Sequence, residues 1–103
     1  MGLRTDTVWR MIPGAGQNVA YTATVGKLTN TLPEGTKAVM VYVTSAAFVM
    51  VGGSVAVASA TGSPGNGFLL PAAGWAVLDA QVGDTVSAVR LSGNGTLYAC
   101  PVF

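Results

Sequence analysis

The feature that most limits what this chain can become is residues 38–58, AVMVYVTSAAFVMVGGSVAVA, an apolar run without a charged side chain. Two structures can absorb such a run. A helix spanning a bilayer needs roughly 20 apolar residues. A group of buried strands needs apolar runs of about 3–10 residues, each closed by turn formers. Residue type decides between them. Valine, threonine and tyrosine pack well on a pleated surface, where branching at Cβ costs little. The apolar content also arrives in pieces, residues 38–43, 48–51 and 55–58, separated by small residues including Thr44-Ser45 and Gly52-Gly53. Gly52-Gly53 offers the positive φ that a two-residue hairpin requires. Lys37 stands alone beside the run, so no basic cluster orients a membrane span. The sequence therefore predicts strands joined by tight turns here.

The rest of the chain reads as shorter strands gathered around this block. Residues 18–25, NVAYTATV, alternate as a half-buried strand, with Val19, Tyr21, Ala23 and Val25 on one face. Pro13-Gly14-Ala15-Gly16 and residues 32–36, LPEGT, are turns. Residues 59–67, SATGSPGNG, are a loop by composition. Phe68-Leu69-Leu70 and residues 75–78 read as strands, and residues 85–91 alternate again, Val86, Ala88 and Arg90 opposing Thr85, Ser87, Val89 and Leu91. Asn94-Gly95 is the strongest hairpin signal. Residues 96–102 return as the last strand, and Pro101, which lacks an N–H, predicts a sheet edge there. Turn signals recurring every 8–12 residues mark an all-β chain: a single small antiparallel β-sandwich or jelly roll of about eight strands. The expected organisation is an N-terminal arm and loop, residues 1–17, followed by the sandwich, residues 18–103.

Composition narrows what such a sandwich does. Only 9% of the residues are charged, against about a quarter in ordinary soluble domains. None is charged between Lys37 and Asp79. The outer faces of strands in that region are therefore either covered by a partner or by copies of the chain, or wetted only by Thr, Ser, Gly and Ala. A net charge of +1 supplies no basic field for nucleic acid or an anionic membrane. Cys100 is the only cysteine, so no internal disulfide forms, and it reads as a small buried hydrophobe. Residues 1–10, MGLRTDTVWR, lack the apolar core of a signal peptide and the myristoylation pattern.

Catalytic chemistry is poorly supplied. There is no histidine, which removes the commonest general base and metal ligand. Asp79 and Asp84 flank a turn, and such carboxylates most simply satisfy turn amides. Gly14-Ala15-Gly16 lacks the third glycine and the strand-to-helix setting of a dinucleotide loop. Asn94-Gly95-Thr96 fits a glycosylation sequon, but the hairpin explains it. Trp75, Phe68 and Tyr42 have the makings of a sugar-stacking platform, although aromatics at strand positions are first expected in the core. The expectation is a protein that is not an enzyme, with no catalytic residues, no cofactor and no metal.

From residue 32 onward the sequence runs LPEGTKAVMVYVTSAAFVMVGG, then ATGSPGNG, FLLPAAGWAVL and GDTVSAVRLSGNGTLYA. This succession of a valine-rich strand, a strand ending at glycine, a small-residue loop, an apolar strand and a closing hairpin resembles the small β-sandwich decoration, or cement, proteins of tailed-phage capsids. The resemblance implies a structural virion protein on the capsid exterior, assembled in the host cytoplasm. Its partners would be the major capsid protein and itself, as a homodimer or homotrimer, with no nucleic acid or membrane partner. On this reading Phe48, Met50, Phe68, Leu69, Leu70 and Trp75 form the core and subunit interface, while Trp9 and Arg10 on the arm touch the capsid. Three other functions compete. They are a carbohydrate- or receptor-binding module of a tail or fibre using Trp75 and residues 59–67, a head–tail or tail-tube component, and a small membrane protein built on residues 38–58.

Overall fold

The structure is a computed structural model that describes residues 10–53 and 67–103. The described residues form strands β1 Gln17–Tyr21, β2 Gly26–Lys27, β3 Ala38–Val43, β4 Ala47–Gly52, β5 Phe68–Leu70, β6 Trp75–Asp79, β7 Thr85–Arg90 and β8 Gly95–Val102. No helix among them is long and apolar enough to cross a membrane. The strands make two four-stranded sheets, ordered β1-β8-β3-β6 and β2-β7-β4-β5. Every pairing is antiparallel. Each connection except β4 to β5 carries the chain from one sheet to the other, which is the winding of a jelly roll.

Period-two alternation fills the space between the sheets. Val39, Val41 and Val43 of β3 face Ala47 and Val49 of β4, with Leu70, Val86, Ala88, Leu97 and Ala99 completing the layer. Leu28, Leu32 and Ala80 close one end of it from the connecting segments. Among the described residues the core is thus aliphatic but for Tyr21, which is 1% exposed. A buried phenol needs partners for its hydroxyl. Tyr21 Oη donates to the Ser45 carbonyl and accepts the Ser45 amide at 3.1 Å. This ties the end of β1 to the β3–β4 crossover.

Several local readings are corrected by this topology. β3 and β4 occupy the predicted places, but residues 44–46 cross between sheets and do not form a hairpin. β4 pairs with β5, and Gly52 is the last residue of β4, opposite Thr85 of β7. The strand expected after Gly52-Gly53, residues 55–58, lies outside the described residues. Asn94-Gly95 is not a hairpin either. β7 and β8 belong to different sheets, and Gly95 is the first residue of β8. Its glycine answers a packing demand: a Cβ there would stand 2.5 Å from Tyr21 Oη and 2.7 Å from Thr44 Oγ1.

The expected strand over residues 18–25 stops at Tyr21. Thr22 Oγ1 takes the Thr24 amide at 3.0 Å, a local bond that competes with the ladder. The chain then turns its corner at Gly26, where a Cβ would lie 2.2 Å from the Ala20 carbonyl oxygen. Pro101 sits inside the first sheet, because β8 lies between β1 and β3. Its carbonyl accepts the Ile12 amide at 3.0 Å, so that side of Pro101 faces residues 10–12 beyond the start of β1. The missing N–H therefore costs β3 nothing, since the amide and carbonyl of one strand residue point the same way. Residues 10–12 are also held to β8: Met11 bridges Val102, and Phe103 N donates to Arg10 O at 2.9 Å.

Candidate functional site

Alternation that sends valines inward sends a different set of side chains outward. On the first sheet, register places Asn18 opposite Tyr98, Tyr98 opposite Tyr42, and Tyr42 opposite Trp75. These four residues form one straight row across β1, β8, β3 and β6. Trp75 is 66% exposed, Tyr98 48% and Tyr42 38%. The tyrosine ring centroids are 6.1 Å apart, with the planes tilted by 48°. A second row, Cys100, Met40 and Val77, lies beside the first. Met11, the tyrosines, Trp75, Asn18 and Gln17 border a shallow depression of about 360 Å³ whose floor includes Met40 and Cys100. The only charged group on the outward side of these strands is Asp79, at the opposite end of β6 from Trp75.

The turn before Trp75 is closely defined. Gly74 N donates to Pro71 O at 2.9 Å, and Gly74 O accepts Val43 N at 3.0 Å. Ala73 has φ 56°, the left-handed region, and is the one non-glycine residue described there. A Cβ at position 74 would meet Pro71 O at 2.7 Å. The turn thus leaves little freedom in where β6 begins and where its first side chain emerges.

The outward side of the second sheet is apolar, with phenylalanine, methionine, leucine and valine in register. Register puts Phe48 between Val89 on β7 and Leu69 on β5, with Met50 beside Ser87 in the next row. Phe48 and Met50 are half-buried, Leu69 is 46% exposed and Val89 is buried. Lys27, on β2, is the charged side chain nearest this surface in register, opposite Ser87.

The residues expected to act as one core and interface group are therefore divided. Leu70 enters the core. Phe48, Met50 and Leu69 share the outer face of the second sheet, and Phe68 is exposed on edge strand β5. Trp75 stands on the other sheet altogether. The core expectation for Trp75, Phe68 and Tyr42 is overturned. Tyr42 has the opposite parity to Val41 and Val43, and the narrow gap between sheets is filled by valine, leucine and alanine. Cys100 is half-buried on the aromatic side, not a core hydrophobe. Arg10 is exposed, while Trp9 and residues 59–66 of the expected loop site lie outside the described residues. Tyr98, Met40 and Asn18 were missed. Only the pairing of β8 with β3 and β1 brings them beside Tyr42.

No group of His, Cys, Asp and Glu among the described residues is arranged to hold a metal ion. Asp84 Oδ2 accepts the Gln81 amide at 3.0 Å, a turn-closing role. No protein-family model, characterised protein or solved structure significantly matches the chain.

Proposed function

We propose that this chain is a structural virion protein that decorates a phage capsid, binding the outer surface of the major capsid protein as a homo-oligomer. The observation that supports this reading most is the outer face of the second sheet. Phe48, Met50 and Leu69 lie together there without a charge among them. The part of this surface that stays open in the single chain, Leu69 with the half-buried Phe48 and Met50, would be covered by repeated copies at about 25 cal/mol per Å² of apolar area. A closed ring of identical subunits uses one patch many times over. Residues 9 and 10 would touch the shell, with Arg10 already held beside β8 through its backbone. The jelly-roll fold by itself hosts many functions and decides none of them.

Light scattering on the purified chain, with circular dichroism on the same sample, tests the assembly half of the proposal. A β-rich dimer or trimer that Phe48→Lys with Leu69→Lys converts to a folded monomer is the expected result. Cosedimentation with empty shells of the parent phage tests the docking half. Trp9→Ala and Arg10→Ala are expected to weaken it without changing the subunit mass. A chain that stays monomeric and does not sediment with shells would overturn the proposal.

A further inference from the structure

The aromatic row on the first sheet is not needed for self-association through the second. We infer that it is a binding site for a neutral glycan, whose sugar rings stack along Tyr98, Tyr42 and Trp75. The inference goes beyond the virion role and stands on separate residues.

Five observations carry it. The row is straight, because the three aromatic residues are direct register partners on adjacent strands. Neighbouring strands lie about 4.8 Å apart, a step comparable to one pyranose unit. Sugar rings carry apolar C–H faces, and an exposed aromatic ring is their natural counterpart, offering area with little loss of side-chain freedom. The hydrogen-bonding groups at the row are neutral and can both donate and accept: Asn18 at its end and the two tyrosine hydroxyls, whereas the Gln17 amide is already bonded to the Asn30 backbone. Sugar hydroxyls need that combination. The local lack of charge argues against an acidic or sulfated chain, since no lysine or arginine among the described residues borders the depression. A shallow depression of about 360 Å³, apolar with a few polar groups at its rim, suits a short stretch of glycan. Finally, the turn of Pro71 to Gly74 fixes the start of β6, so Trp75 is presented before any ligand arrives.

The test uses the full chain in a Trp9→Phe background, so that Trp75 is the only fluorophore of its kind. Neutral hexasaccharides of glucose, mannose, xylose and N-acetylglucosamine are titrated against it, with a heparin hexasaccharide as the charged control. The expected result is saturable change in Trp75 fluorescence with at least one neutral probe. Calorimetry on the unmodified chain should give the same ranking of probes. Trp75→Ala and Tyr42→Ala should each weaken binding at least about tenfold. Their circular dichroism and light-scattering mass should stay those of the parent, because both side chains point away from the core. Three outcomes overturn the inference: no saturable binding to any neutral probe, preference for the heparin probe, or dissociation of an oligomer by Trp75→Ala. The last would mean that a second copy covers the face. Loss of the virion role in the shell assay would leave the glycan result untouched, so the two failures are distinguishable.

Discussion

The two outer faces of this jelly roll are both poor in charge, yet they are built differently. The first sheet turns outward a row of Tyr98, Tyr42 and Trp75, ending in Asn18 and lying over a depression. The second turns outward Phe48, Met50 and Leu69, half-buried or exposed, around a β7 that is buried along most of its length. Phenylalanine, methionine and leucine offer apolar area without a hydrogen-bonding group, which suits a repeated contact between subunits. Aromatic rings with neutral polar neighbours offer area and direction together, which suits a small polar ligand. An uncharged surface is therefore not one property with one use. The strand register decides which use each face can serve.

The comparison requires that both faces depend on one sandwich. Gly26 is where this dependence is most exposed, since the chain passes there from β1 in the first sheet to β2 in the second. An added Cβ would lie 2.2 Å from the Ala20 carbonyl and 3.3 Å from Val19 Cγ2, so backbone must shift. Gly26→Ala is expected to cost about 3 kcal/mol or more, the range of severe overpacking. Urea unfolding measures it. Subunit mass and ligand binding should then fail together. Loss of one with retention of the other would show that the faces fold separately.

The next largest effect should separate the faces. Phe48→Lys with Leu69→Lys places two like charges in adjacent register positions on the second sheet. Light scattering should fall to the monomer mass, while the Trp75 fluorescence response to a bound probe should survive. If the charged pair instead leaves the mass unchanged, the apolar face of the second sheet is not the contact between copies.

What was legible in the sequence follows the same division. Alternation over residues 85–91 sorts Val86 and Ala88 from Thr85, Ser87 and Val89 without saying which set faces inward, and the core takes Val86 and Ala88; residues 38–43 read as one apolar run, and their parity emerges only in the sheet. The strand count and the all-β class followed from turn residues. Pairing did not follow, because glycine serves two purposes. Gly95 and Gly26 look like turn formers, yet each is demanded by the close approach of another segment, from Tyr21 and from Ala20. Neither approach is visible before the sheets are assembled. The aromatic row was hidden for the same reason. Tyr42, Trp75 and Tyr98 are far apart in sequence, and only the 38–43 ladder with both β6 and β8 makes them neighbours. Volume explains why they were misplaced in the core. The inter-sheet layer is packed with valine, leucine and alanine, and only Tyr21, at its end, finds room.

Tyr21 gives a smaller test of how the sheets are joined. Its hydroxyl bonds both the amide and the carbonyl of Ser45 in the crossover to β4. Tyr21→Phe keeps the ring and removes both bonds, leaving part-buried backbone groups unpaired. The expected loss is about 1–2 kcal/mol in urea unfolding. Both faces should keep their functions at room temperature, because neither the row on the first sheet nor the apolar patch on the second contains this residue. A selective loss of probe binding would instead mean that the crossover tunes the aromatic face.

The smallest expected effect runs the other way, toward greater stability. Thr85 begins β7 and is 1% exposed, and its Oγ1 has no hydrogen-bond partner among the described residues. A buried hydroxyl left unpaired costs free energy, since it gives up water and receives nothing. Thr85→Val removes the hydroxyl, keeps the branched shape and favours a strand equally well. A gain of about 1 kcal/mol is expected in the same unfolding measurement. Thr85 shares its parity with Ser87 and Val89, opposite to the core-facing Val86 and Ala88. The substitution therefore also probes the outward side of the second sheet. If the gain appears and subunit mass is unchanged, Thr85 lies outside the contact between copies. If stability falls instead, the hydroxyl has a use in the assembled state that an isolated chain does not show, and the second face extends to the start of β7.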